Sequence, residues 1–233
     1  MSKEIKRGKI VIVSGSSGCG KDTVLDFLKE MSDDFTVSVS MTTRGQRDYE
    51  IHGVHYYFVS KDEFEKRIAE NDLLEYATFS SDYYGTPKSK LIEKISEGYN
   101  VILKIETVGA KKVMDLIDPK DRITFFLSAP SYSGLCKRLA GRKTETKDEL
   151  IERLEAAKVE AHRAELYDHI IINQNNRAED AARLILKICT EGFDKDSLND
   201  SEKSIYEPSA EEFLKDYFDT DDYMQFLKDY KKP

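Results

Sequence analysis

Over its first 192 residues the chain alternates short β-branched runs with longer segments in which apolar side chains recur at helical spacing. Strands joined by crossover helices read this way, so the pattern predicts an α/β fold with a mainly parallel central sheet flanked by helices. Strands are predicted at 9–14, 36–40, 56–59, 73–79, 100–105, 122–127 and 169–172. Several helix starts carry a capping pattern: Ser60 with Glu63, Thr146 with Glu149 and Asn176 with Glu179, while Pro87 stands at a first-turn position. The longest apolar runs, 10–13 and 170–172, are too short to span a bilayer, and the first residues lack the apolar stretch of a signal peptide.

The pattern changes after Gly192. Residues 193–233 hold 12 acidic and 6 basic side chains, so this stretch carries −6 of the net −8. Residues 194–207 read as a polar linker. Ser209 with Glu212 then opens a helix bearing Phe213, Leu214, Tyr217 and Phe218, and a second amphipathic segment lines up Tyr223, Phe226, Leu227 and Tyr230. The expected division is a domain at 1–192 and an acidic helical extension at 193–233. The extension is expected to pack on its own domain; its alternative use is contact with a protein partner.

Composition narrows the class. Three cysteines, Cys19, Cys136 and Cys189, offer neither a disulfide framework nor zinc spacing and suit a reducing compartment, so the expected location is the cytoplasm. A net acidic chain argues against bulk nucleic-acid binding, and an anionic ligand would have to be held by a local basic cluster.

One such site is written contiguously. Gly15, Ser16, Ser17, Gly18, Cys19, Gly20 and Lys21 follow the first apolar strand and precede a helical stretch with Val24, Leu25 and Leu28. This is a Walker A loop in its required context: the glycines turn backbone N–H groups toward a phosphate, the helix N-terminus adds favourable partial charge, and Lys21 neutralises the β/γ-phosphates. Asp22 stands where the motif has Ser or Thr, and the hydroxyl comes at Thr23. Asp22 can touch Mg²⁺ or face solvent, the latter being favoured. Cys19 suits the loop by its size, and a helix N-terminus would lower its pKa and make it oxidisable.

Phosphoryl transfer between two anions demands dense positive charge. Arginines cluster twice: Arg44 and Arg47 within Ser40-Met41-Thr42-Thr43-Arg44-Gly45-Gln46-Arg47, and Arg138 with Arg142, with Arg153 further on. Together with Tyr83-Tyr84-Gly85-Thr86 and Thr144-Glu145-Thr146, in that order and spacing, these segments resemble the guanylate kinase family from about residue 9 to residue 187. The resemblance implies ATP as donor, with Asn173 at its adenine, and GMP or dGMP as acceptor. It places Arg44, Arg47, Tyr56 and Tyr84 on the acceptor phosphate, with Glu50 beside them, Ser40, Glu75 and Thr86 on the guanine, and Glu106 among the residues that bind GMP. Lys21, Arg138, Arg142 and Arg153 would surround the travelling phosphoryl group. It also implies a small mixed-β nucleotide-monophosphate subdomain at about 36–86 and a lid at about 138–150. Mg²⁺ would be carried mainly by ATP phosphates and water, with Asp22 and Glu106 as the nearby carboxylates and no certain protein ligand.

The chemistry agrees with this assignment. Guanine offers N1–H and an exocyclic amine as donors and O6 as acceptor, so a carboxylate with two hydroxyls complements it, whereas adenine would leave those groups unpaired. The acceptor phosphate is already ionised, so no general base is required; alignment, charge neutralisation and exclusion of water remain. Two departures stand out. Lys104-Ile105-Glu106, followed by Val108, keeps one of the two carboxylates the family usually places there, and Gln174 follows Asn173 where Asp is frequent. The rival readings are a P-loop kinase with another phosphorylated acceptor, for which Lys104 is the sequence support, and a non-catalytic binding module, which an intact phosphate loop disfavours.

Overall fold

The computed structural model of the chain describes residues 7–79, 81–141 and 147–218. The first elements are β1 (Ile10–Ser14), α1 (Lys21–Met31), β2 (Phe35–Val37), β3 (Met41–Thr42), β4 (Tyr57–Phe58), α2 (Lys61–Ala69), β5 (Leu73–Phe79) and β6 (Asp82–Pro87). They are followed by α3 (Lys88–Ser96), β7 (Asn100–Lys104), α4 (Thr107–Leu116), β8 (Arg122–Ser128), α5 (Tyr132–Ala140) and α6 (Lys147–Ala161). Last come β9 (His169–Ile172), α7 (Ala178–Glu191), α8 (Asp200–Lys203), β10 (Tyr206–Glu207) and α9 (Ala210–Tyr217).

The central sheet has the strand order β10-β9-β8-β1-β7-β2, and a smaller sheet has the order β4-β3-β6-β5. β2 runs parallel to β7 and β8 parallel to β9, while β10 closes the edge antiparallel to β9. This is the α/β architecture that the hydrophobic pattern predicts, a mostly parallel sheet flanked by helices. Parallel strands buried on both faces need apolar runs, which β1 and β8 supply. Among the described residues, no helix is long and apolar enough to cross a membrane.

Two compact units can be distinguished, one from the described residues of Met1–Ile12 and Asp34–Arg122, the other from those of Val13–Asp33 and Ile123–Pro233. In the first, β3 pairs parallel with β4 and antiparallel with β6, which also pairs antiparallel with β5. This mixed sheet closes on Met41, Phe64 and Leu73, with Tyr57, Val59, Ile68 and Tyr83 packed around them; the Phe64 and Tyr83 rings stack at 5.1 Å. In the second unit α1 packs on α7, burying Val24, Leu25 and Leu28 from one and Leu184, Ile185 and Ile188 from the other. The i, i+3, i+4 recurrence of these residues is the apolar stripe that makes both segments helices.

The differences from the sequence reading have physical causes. β2 ends at Val37 and β4 spans only Tyr57–Phe58, both shorter than the predicted runs, and β3, β6 and β10 are additional strands. β6 reads Asp-Tyr-Tyr-Gly-Thr-Pro, where Asp, Gly and Pro interrupt the strand-forming Tyr and Thr and hide the pattern, and it becomes a strand because β3 and β5 pair with it on both sides. The capping expectation holds at Ser60 and Ser209, whose hydroxyls accept from the Glu63 and Glu212 amides at 3.1 Å. It fails at Asn176: α7 is capped at Arg177, and Asn176 adopts φ 59°, a left-handed turn conformation that asparagine tolerates well. Pro87 closes β6 at the N-cap of α3.

The supposed linker at 194–207 is ordered. Asn199 and Glu202 form a reciprocal capping box on α8, Leu198 and Ile205 are buried, and β10 becomes the sheet edge. Its apolar residues are too widely spaced to register as a period. Thr146 and the 223–230 segment lie outside the described residues.

Candidate active site

The phosphate loop leaves the buried end of β1 and enters α1 at Gly20, which adopts φ 94°. That conformation favours glycine, and a Cβ there would also collide with the Asn173 side-chain amide. The Cys19 amide donates to Ser16 O at 3.1 Å, closing the loop. The Lys21 ammonium folds back over the loop, donating to Gly15 O and, at 3.1 Å, to Ser16 O. From there it can exchange loop carbonyls for phosphate oxygens. Burial raises the Cys19 thiol pKa, only partly offset by Lys21 at 3.8 Å, which agrees with Cys19 being chosen for its size and not with the alternative of an activated, oxidisable cysteine.

Arg138 of α5 ties the loop to the chain leaving β9. Its guanidinium donates to Cys19 O at 3.2 Å and Asn173 O at 2.8 Å, and to Asn175 Oδ1 at 2.8 and 3.3 Å. The Asn173 amide donates to the same Cys19 carbonyl at 2.8 Å. Desolvation lowers the Arg138 pKa, but a guanidinium stays charged at any physiological pH. Arg153 of α6 reaches the Ser17 hydroxyl at 3.2 Å. Arg138 and Asn173 border a cavity of about 570 Å³ that is also lined by Gly18, Gly20, Thr23, Phe27 and the rest of the 173–176 segment, among others. Asn173 Oδ1 is enclosed with no hydrogen-bond donor supplied by the protein, an acceptor that a ligand amine could satisfy. Asp22 is exposed in the first turn of α1, the orientation favoured from sequence.

The first unit carries a different kind of site, made of side chains. The two threonines before Arg44 explain the motif: Thr42 Oγ1 donates to Tyr83 O at 2.9 Å and accepts from the Arg44 amide at 3.2 Å, and Thr43 Oγ1 accepts from the Tyr83 amide at 2.9 Å. They clamp β3 to β6 and so fix where Arg44 emerges. The Arg44 guanidinium donates to Glu50 Oε1 at 2.6 Å and lies 5.7 Å from the Tyr56 ring centre, and Tyr56 meets Tyr84 edge to face at 6.0 Å. Glu50, only 7% exposed, also accepts from the Arg47 amide at 2.8 Å. Glu50 therefore acts by positioning both arginines. The hydrogen bond to Glu50 raises the Arg44 pKa, and Arg44 correspondingly lowers that of Glu50.

Glu75 sits where β5 and β6 slip register. Leu73 pairs with Pro87 and Tyr76 with Gly85, leaving Leu74 and Glu75 opposite Thr86 alone. Such a bulge re-aims a side chain. Here the Thr86 hydroxyl donates to Glu75 Oε1 at 2.8 Å. Gly85 permits the approach, since a Cβ there would lie 2.9 Å from the Glu75 carbonyl. Burial raises the Glu75 pKa, with Thr86 and Lys112 of α4 pulling it back.

Of the predicted residues, the structure groups Arg44, Glu50, Tyr56 and Tyr84, joins Glu75 to Thr86, and gathers Lys21, Arg138 and Asn173 at the loop. Arg47 is turned to the Tyr49 hydroxyl at 2.8 Å, and Ser40 offers its carbonyl to the Tyr57 amide at 2.8 Å. Glu106 is the N-cap of α4 without a side-chain cap, and it is exposed. Arg142 and the 144–146 part of the lid lie outside the described residues. Sequence reasoning missed Phe27, Asn175 and Lys112; the polar run 173–176 just after a strand was the available signal for Asn175, because ligands in open α/β sheets bind beyond strand C-termini. Gln174 is among the residues lining the cavity, and its side-chain amide donates to Ser204 O at 2.9 Å.

A phosphate loop between the first strand and helix of a mostly parallel sheet defines the class of P-loop nucleotide-binding proteins. The family model described as guanylate kinase matches residues 7–190. The chain is 45% identical over 188 residues to the guanylate kinase of Malacoplasma penetrans (strain HF-2), covering 80% of this chain and 96% of that protein. It is 40% identical over 182 residues to the guanylate kinase of Streptomyces coelicolor, with 78% and 90% coverage. The crystal structure of guanylate kinase from Anaplasma phagocytophilum is similar with a TM-score of 0.59 at 25% identity, covering 93% of this chain and 98% of that one. This chain belongs to the guanylate kinase family.

Proposed function

We infer that the protein transfers the γ-phosphoryl group of ATP to GMP or dGMP, giving ADP and GDP or dGDP. Family membership supports the reaction, and the observation that carries the choice of acceptor is the bulge that presents the Glu75 carboxylate with the Thr86 hydroxyl. The carboxylate accepts from guanine N1–H and the exocyclic amine, and Thr86, with Ser40 as a further hydroxyl, completes the polar lining. Adenine lacks those donors and would strand a half-buried carboxylate.

Arg44, Arg47, Tyr56 and Tyr84 bind the acceptor phosphate, with Arg44 pre-set by Glu50. Lys21, Arg138, Arg153 and Arg142 neutralise the phosphoryl group in flight, and the loop amides hold the donor phosphates. The orphan Asn173 Oδ1 suits the adenine amine of ATP. Among the described residues no cluster of three His, Cys, Asp or Glu side chains could hold a metal by itself. Mg²⁺ would arrive with ATP, carried mainly by the phosphates and water, with the Thr23 hydroxyl at the start of α1 and the Asp22 and Glu106 carboxylates as the nearby oxygens, and would supply charge neutralisation. The site of action is proposed to be the cytoplasm.

An ADP-release assay with GMP, dGMP, IMP, AMP, CMP and UMP as acceptors tests this reading. Turnover with the guanine nucleotides and at least a hundredfold less with AMP is expected. Turnover on a non-guanine acceptor would overturn the choice of base, and ATP binding without turnover on any acceptor would favour a binding module.

A further inference from the structure

Beyond residue 190, where the family match ends, the chain returns twice to the donor half of the site. At the first return, Arg177 donates to Ser204 Oγ at 2.9 Å, to Ser201 Oγ at 2.6 Å and to Gln174 Oε1 at 3.0 Å, while the Gln174 amide donates to Ser204 O. The Ile172 amide donates to Ile205 O at 2.8 Å, and β10 pairs with β9. Both ends of the 173–176 segment that lines the cavity are thus fixed from the extension. At the second return, α9 buries Tyr217 to 1% exposure, its ring edge to face with Tyr132 at 6.0 Å. The enclosed Tyr217 hydroxyl makes no hydrogen bond to the described residues.

We propose that residues 194–207 are a positioning element for the donor nucleotide: Ser201 and Ser204 set the segment around the ATP base through Gln174 and Arg177. The proposal rests on the reading of this cavity as the ATP site. None of these side chains touches the reacting atoms, so the extension controls donor affinity and leaves acceptor affinity alone. A network of several neutral and charge-assisted hydrogen bonds is enough to hold a loop in one geometry.

Truncation at Gly192 is a poor probe because Leu198, Ile205 and Phe213 are buried and their loss would unfold the unit. Full-length point variants are therefore titrated with ATP and with GMP by calorimetry, with KM and kcat measured alongside. Ser201→Ala with Ser204→Ala, two exposed positions, should weaken ATP binding and raise its KM by about threefold to tenfold. Arg177→Ala, which removes the donor shared by both serines and Gln174, should exceed this. The Kd of GMP should stay within twofold throughout. Unchanged ATP affinity in both the serine pair and Arg177→Ala, or parallel losses for ATP and GMP, would overturn the proposal. If GMP were not the acceptor, wild-type turnover with GMP would be absent while the ATP titrations still read the extension, so the two failures are distinguishable.

Discussion

The donor loop and the acceptor pocket solve the same problem, holding an anion, with different materials. The donor loop is made of backbone: amides turned inward by Gly20 and its neighbours, a lysine resting on its own loop carbonyls, and Arg138 with Asn173 bracing Cys19 O. The acceptor pocket is made of side chains on a small mixed sheet, where Thr42 and Thr43 fix Arg44, Glu50 orients it, and a bulge delivers Glu75 to Thr86. Backbone amides bind any phosphate and carry no selectivity for the base. On the proposed assignment selectivity resides in the side-chain pocket, and the two regions should fail in different ways.

The largest effect expected from breaking this contrast is at Lys21. Lys21→Ala should lower kcat by about 10²- to 10³-fold, the loss typical of removing one preorganised charge-stabilising group, with GMP affinity intact. Steady-state kinetics with both substrates varied check this. Arg44→Ala comes next: loss of a charge-assisted phosphate contact should raise the GMP KM by about 10- to 100-fold with little change in the ATP KM.

Glu75→Gln sharpens the comparison because one residue couples recognition to stability. Burial raises the Glu75 pKa, so the folded state holds its proton more tightly than the unfolded chain does. The carboxylate then costs stability above the ordinary glutamate pKa, and the cost fades as pH falls through that value. Glu75→Gln is therefore expected to melt at a higher temperature than wild type at neutral pH, with the gap closing under acid. The same substitution should weaken GMP binding by about tenfold, since an amide accepts less strongly and brings a donor facing guanine's donors. In the wild type, GMP affinity should decline at a higher pH than an ordinary carboxylate would dictate. Melting curves and GMP titrations across pH 4 to 8 test both halves. The smallest effect belongs to Lys104→Asp: Lys104 is exposed at the end of β7, where charges are screened, so kcat/KM should move by less than about threefold.

How much was legible followed the same division. A loop that works through glycines and one lysine occupies seven consecutive positions, and its strand and helix announce themselves by periodicity, so the donor site could be read from local pattern. The acceptor pocket draws on residues from Arg44 to Thr86, and those letters have no local signature; the resemblance to guanylate kinases supplied them. Neither route gave the bulge at Glu75, because register is set by cross-strand pairing, nor the role of Glu50 as the partner that orients Arg44. The contacts of 194–207 were least visible: Ser201 and Ser204 meet Arg177 through tertiary placement in a stretch that reads as polar linker.

The most direct measurement is a pair of calorimetric titrations, ATP and GMP separately, on Lys21→Ala and Arg44→Ala. Weakened ATP binding with wild-type GMP binding in the first, and the reverse in the second, is the result expected if a backbone cradle holds the donor and a side-chain pocket the acceptor. Loss of both ligands in either variant would contradict that division.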